Sequence, residues 1–269
     1  MGKNILTIFA GRENNLIILN KYLTKALDLK LLDEIHYWDY TRNNSDELYL
    51  KSICTNNFYY MKTTIKSSWI NYYNYYDKPE FKDDIIIKCD DDIVFIDLSK
   101  LGEFINYTRT TDNNLVFANT INNGVSAYYQ QNKFNLIPKE LMELEYPVNG
   151  FCGSLWESGT KAEQLHNYFI DNYKSFLDYN YNNEIISITT RFSINFFAIK
   201  GSDWNIIKDC GNNDEHNLTV TYVKNNKLKN VLYTNFYVAH LSFYMQEETN
   251  INSTDLRVKY NKLANLVLN

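Results

Sequence analysis

Short apolar runs that alternate with helical periods most constrain what this chain can fold into. Residues 4–10, NILTIFA, and 33–39, DEIHYWD, are rich in β-branched and aromatic residues, and a third run goes from Ile85 to Cys89. Each is too short for a globular helix and reads as a strand. Between the first two, Leu16, Ile17, Leu19, Tyr22, Leu23, Ala26 and Leu27 recur at helical spacing. Further helices are expected over 45–56, with Ser45 as N-cap, and over 66–77, where aromatics gather on one side. Beyond the third strand the pattern predicts helix 98–108, strand 115–119, a loop-rich stretch 121–160 and helix 160–178. A strand-like RFSINFFAI within 185–199, a strand over 231–238 and an amphipathic helix over 254–268 follow. Strand–helix alternation of this kind predicts an α/β domain with a mainly parallel central sheet flanked by helices.

The 269 residues include only 3 Pro and 9 Gly, and no Pro/Gly/Ser-rich linker divides them. One domain over 1–245 with a helical extension over 246–269 is therefore expected. A net charge of −5 gives no global footprint for nucleic acid, although a nucleotide-sized ligand needs only a basic cleft. The 4 cysteines, Cys54, Cys89, Cys152 and Cys210, form no CxxC, which fits reduced thiols and a cytoplasmic location. The first apolar run is too short for a secretory leader, and no run of 18 apolar residues suggests a membrane span. The 23 tyrosines, with abundant Asn, Ile and Lys, fit AT-rich codon usage and carry no functional weight. A viral source, one origin of such usage, would make the host cytoplasm the location.

Three like charges stand between two apolar runs in KCDDDIVFID, residues 88–97. In an open parallel sheet, ligands bind beyond the carboxyl ends of the strands, so Asp90, Asp91 and Asp92 would face that crevice. Carboxylates one residue apart can share Mn²⁺ or Mg²⁺ and leave room for substrate phosphates. The alternative is a solvated acidic turn. Asp214 and Glu215 in NDEHNLTV are candidates for a general base, or else favourable acids at a helix start. His240 in FYVAHLSFY follows a strand and is a metal-ligand candidate or a satisfied core histidine. Ala10, Gly11 and Arg12 form a small-residue turn after the first strand that can cradle a nucleotide, and Asp39 can accept from its base or ribose. A single glycine is not the dinucleotide fingerprint.

The order of these motifs along the chain resembles the GT-A glycosyltransferases, DxD-containing and similar to family 2. The resemblance covers roughly residues 4–245. It implies a GT-A fold and a metal-dependent transfer of a sugar from a nucleotide-sugar donor, a UDP-sugar, to an acceptor hydroxyl of a glycan, protein or lipid. Asp90, Asp92 and His240 match the family's metal ligands, and Asp90 and Asp91 its donor-diphosphate contacts. Glu215, or Asp214 because the two acids stand in exchanged order, matches the base of inverting members. NGFCGS, with Gly150 and Gly153, resembles the glycine loop near donor sugar and acceptor, and Trp156 beside it is placed to stack on a sugar. Arg12 or Lys66 would add positive charge at the phosphates, and Asn119 and Asn123 would bond sugar hydroxyls, unless they only form turns. The aromatics at 69–76, 128–129 and 146–156 are sugar-stacking candidates or core. Two other classes fit less closely: a nucleotidyltransferase, and a non-catalytic carbohydrate-binding protein.

Overall fold

The computed structural model describes residues 2–63, 70–147, 153–226 and 228–269. In chain order the strands are β1 Asn4–Ala10, β2 Glu34–Asp39, β3 Phe58–Met61, β4 Ile85–Asp90, β5 Ile93–Ile96, β6 Val116–Ile121, β7 Ile185–Ile188, β8 Phe196–Lys200 and β9 Asn230–His240. The helices are α1 Glu13–Asp28, α2 Asn44–Ile53, α3 Ile70–Tyr75, α4 Leu98–Thr110, α5 Gly124–Asn132, α6 Ser154–Glu157 and α7 Gly159–Leu177. They continue as α8 Asp214–His216, α9 Tyr222–Asn226, α10 Tyr244–Glu248 and α11 Ser253–Val267. Together they form the α/β, Rossmann-like arrangement that the strand–helix alternation predicts.

The described strands make one sheet in the order β3-β2-β1-β4-β8-β6-β9-β5, with β7 beside β9. Its first four strands are all parallel. Past β4 the sheet is mixed: β8 runs antiparallel to β4 and β6, β9 is parallel to β6, and β5 and β7 are antiparallel to β9. The departure from a mainly parallel sheet begins at β8, because β7 and β8 come from the apolar stretch after α7, where no crossover helix separates the strands.

β4 lies in the middle of the sheet and is covered on both faces, which is why Ile85, Ile86, Ile87 and Cys89 are all buried although they do not alternate. Truncating Ile86 to alanine would cost about 2–5 kcal/mol. Register then places the site. Phe9 of β1 pairs with Asp90 of β4, and Ala10 pairs with Asp39 of β2, so three carboxyl ends lie side by side. On the far edge, β5 returns directly after the acidic triplet and pairs Ile93 with His240. The Leu241 amide donates to the Asp92 carbonyl at 2.9 Å, which ties the end of β9 to the triplet.

Helix α11 buries Leu256, Tyr260, Leu263 and Ala264 and packs against α1, α7 and β5. The aromatics of α3 turn inward as well: Tyr72, Tyr73 and Tyr76 are buried around Trp204, so they are core and not sugar platforms. Cys54, Cys89 and Cys210 are free thiols. No helix among the described residues is long and apolar enough to cross a membrane.

Candidate metal and nucleotide site

The three aspartates do three different things. Asp91 points back into the β1–α1 turn, where the Gly11 amide donates to its Oδ2 at 2.8 Å and Arg12 Nε to its Oδ1 at 3.0 Å. The terminal nitrogen of Arg12 also meets Asp91 and lies 2.9 Å from Asp92 Oδ2. Asp91 is thus the anchor of the loop. A side chain at position 11 would press on the Tyr40 carbonyl, 3.0 Å from an added Cβ, which explains a glycine there. Asp90 is the most open of the three, with its side chain 23 % exposed and ion-paired to Lys88. Asn195 donates to its other oxygen at 3.0 Å.

Asp92 faces His240, with Oδ2 3.3 Å from Nε2. Both are buried, and Asp92 Oδ1 and His240 Nδ1 have no hydrogen-bond partner among the described residues. A buried polar atom left unpaired is costly and calls for an explanation. Asp90, Asp92 and His240 each offer a ligand atom, and these atoms lie within 4.8 Å of one another. Two carboxylates and an imidazole form a mixed oxygen and nitrogen set that fits a divalent cation and leaves coordination positions for other ligands. The residues therefore fit the metal that the resemblance implies.

Electrostatics separates the acids further. Burial pushes Asp92 up, but the charges of His240 and Arg12 outweigh it and hold the carboxyl well below its ordinary value. For Asp91 burial prevails over Arg12 and the shift is upward. Burial opposes the charge of Arg12, yet Asp92 and Asp91 more than compensate, so the guanidinium stays charged.

The second acid pair stands at the start of α8. This helix passes through a π-helical turn, Asn217–Thr221, into α9. Burial raises the Glu215 carboxyl above its ordinary value, against the pull of Arg191, whose Nε lies 2.5 Å from Oε1. Burial raises Asp214 too, opposed by the charge of Lys88. Both Asp214 oxygens are engaged, by the Tyr73 hydroxyl at 3.1 Å and the Glu215 amide at 2.9 Å. Lys88 acts electrostatically on Asp214 and Glu215 and is ion-paired with Asp90, so the two acid groups belong to one neighbourhood.

Phe9, Gly11, Arg12, Tyr40, Arg42 and the triplet line a pocket of ≈ 270 Å³. Ala10, at the end of β1, is buried behind it. Other candidates lie elsewhere. Asp39 is buried, and its carboxylate accepts from Thr41 and from the Tyr60 hydroxyl, both at 2.6 Å, so it organises the loop after β2. Asn119 is buried, donating to the Thr234 carbonyl at 3.0 Å and accepting from Gln130 at 2.8 Å. Asn123 is the N-cap of α5 and accepts from the amides of Val125 and Ser126. The hydrogen bonds of both side chains are made within the fold. Gly153 caps α6, and Trp156 packs edge-on against Tyr244 at 5.5 Å. Lys66 and Gly150 lie outside the described residues.

Sequence reasoning missed Lys88, Arg191 and Asn195. Lys88 had a signal: it is the lone positive charge in an apolar strand, and it is 3 % exposed. It needs the partners it has, Asp90 and the Ile194 carbonyl at 2.6 Å. Arg191 and Asn195 had none, because only the fold brings the segment before β8 to the acids.

No protein-family model matches the chain, and no curated protein matches it. Among solved structures it is similar to the 4-diphosphocytidyl-2C-methyl-D-erythritol synthase of Anaerococcus prevotii, with 18% identity, TM-score 0.30 and coverage of 44% of this chain and 55% of that one. It is also similar to the 2-C-methyl-D-erythritol 4-phosphate cytidylyltransferase of Francisella tularensis, with 15% identity, TM-score 0.30 and coverage of 44% and 57%. The chain thus matches little more than half the length of either protein.

Proposed function

We propose that the protein is a metal-dependent transferase that moves a sugar from a nucleotide-sugar donor to an acceptor hydroxyl. The observation that carries this reading is the convergence of Asp90, Asp92 and His240 beyond the ends of β4 and β9. Mn²⁺ or Mg²⁺ held there would neutralise the charge of a leaving diphosphate. Arg12 and Lys88 add fixed positive charge beside the acids. The resemblance alone favours a UDP-sugar, since both Asp39 oxygens are engaged, one by Thr41 and one by Tyr60 of β3.

Glu215 is the better base. Its Oε2 has no hydrogen bond among the described residues, whereas both oxygens of Asp214 are engaged. Glu215 takes the proton of the acceptor hydroxyl as that oxygen bonds to the anomeric carbon. The bond from this carbon to the phosphate oxygen breaks, and the nucleoside diphosphate leaves with the electron pair. A carboxyl raised by burial is a stronger base than an ordinary one, which suits the role.

A nucleotidyltransferase is the second reading. Arg12 and Arg42 both line the acidic pocket, and that much positive charge suits a triphosphate as well as a diphosphate. Product identity separates the two: release of nucleoside diphosphate supports sugar transfer, and release of pyrophosphate supports nucleotidyl transfer. The first test is a thermal-shift panel of UDP, GDP and CMP with Mn²⁺ or with EDTA. A ligand near 100 times its Kd stabilises by about 2.7 kcal/mol, or several degrees for a domain of this size. A Mn²⁺-dependent shift supports the site; no shift with any nucleotide counts against it. Once a turnover is found, Glu215→Gln should keep the nucleotide shift and lose transfer by roughly 10²–10⁴-fold.

A further inference from the structure

Arg12 is in an unusual position for a phosphate-binding arginine. Its guanidinium already has two carboxylates, bonding Asp91 through Nε at 3.0 Å and reaching to 2.9 Å from Asp92 Oδ2. Asp92 is also the carboxylate that, with Asp90 and His240, makes up the cation set. A guanidinium and a divalent cation would therefore share one buried carboxylate. Across one buried carboxylate the two cations are close enough to repel each other, although solvent at the half-exposed guanidinium screens part of the repulsion. An anion that touches both relieves that repulsion. The Arg12 side chain is 52 % exposed and lines the acidic pocket, so it can meet such an anion there.

We infer that Arg12 couples the two ligands of this site: it weakens binding of a divalent cation alone and strengthens binding of that cation together with a diphosphate. The inference rests on the proposed metal reading and adds an order to it. Cation and diphosphate enter as a pair, which keeps the acids from filling with metal when no donor is present. Linkage makes the effect reciprocal, so the cation raises diphosphate affinity by the same factor.

The experiment is a Mn²⁺ titration followed by electron paramagnetic resonance, with and without inorganic pyrophosphate and corrected for the Mn²⁺–pyrophosphate complex in solution. Wild-type protein should bind Mn²⁺ at least about tenfold more tightly with pyrophosphate than without it. Arg12→Gln should bind Mn²⁺ alone about tenfold more tightly than wild type, and its coupling should fall to about twofold or less. Arg12→Met is the second neutral variant, and thermal unfolding of both shows whether the loop held by Asp91 survives. Equal Mn²⁺ affinity and equal coupling in wild type and a folded neutral variant overturn the inference. So does a wild type whose Mn²⁺ affinity ignores pyrophosphate, and that outcome needs no variant. Asp92→Asn tests the underlying site separately: undiminished Mn²⁺ binding there removes the metal reading itself, whatever Arg12 does.

Discussion

Two buried histidines, one on α7 and one at the end of β9, sit close together and differ in a way that separates structure from chemistry. His166 Nδ1 bonds the Tyr260 hydroxyl at 2.7 Å, and its Nε2 bonds the Leu241 carbonyl at 2.9 Å. Every polar atom of the ring is satisfied, and the ring joins α7, α11 and the end of β9. His240, one residue before Leu241, has Nε2 3.3 Å from Asp92 and an Nδ1 with no partner among the described residues. Both rings are almost fully buried, so burial does not distinguish them. Satisfaction does. A closed hydrogen-bond set is a structural joint, and an open one beside an acid is a place for something else.

The largest expected effect is at the open site. Asp92→Ala or His240→Ala should lower transfer by on the order of 10³-fold and abolish the Mn²⁺-dependent thermal shift. Stability without ligand is a secondary effect here and should fall, because Asp92→Ala removes the partner of Arg12 and His240 and His240→Ala opens a buried cavity, so the Mn²⁺ shift is read per folded molecule. Normal turnover in either variant would erase the distinction between the two histidines. At the closed site the pattern should reverse. His166→Ala leaves the Tyr260 hydroxyl without this partner, strips the Leu241 carbonyl of one of its two side-chain donors and opens a cavity, at a cost of about 2–4 kcal/mol measured by denaturant unfolding. Mn²⁺ binding per folded molecule should persist. Loss of binding with stability intact would place His166 with the ligands.

Legibility in the sequence follows the same division. Contributions of one local stretch could be read. The β-branched runs of β1, β2 and β4 announced an α/β domain, whose sheet is parallel only in that half, and the three acids after an apolar strand do line a pocket. What depended on long-range closure could not. The antiparallel half of the sheet is set by how β8 and β9 thread back between earlier strands, and no short period encodes that. The separate fates of Asp90, Asp91 and Asp92 depend, besides the nearby Lys88, on Arg12, Asn195 and His240, which are far away in the chain. Asn119 and Asn123 show a related difficulty: their sequence alone does not separate a cap or a strand bridge, which the fold gives them, from a contact to a ligand.

The smallest effect sharpens the contrast through pH. Burial outweighs the help of the Leu241 carbonyl and lowers His166 from 6.5 to about 3. The folded chain therefore keeps this ring neutral where the unfolded chain protonates it. Stability tied to the ring is complete above pH 6.5 and drains as the pH falls toward 3. The slope from one such group is at most about 1.4 kcal/mol per pH unit. His36 is also lowered by burial and adds a slope of the same sign, with Glu34 opposing. The informative measurement is therefore a difference. His166→Gln, which can still donate and accept, should unfold with a shallower acid slope than wild type between pH 6 and 4, by up to about 1.4 kcal/mol per unit. Parallel curves would mean that the ring is protonated in the folded state, where the second proton, on Nδ1, must turn the Tyr260 hydroxyl from donor to acceptor, and the joint would then be less closed than its hydrogen bonds imply.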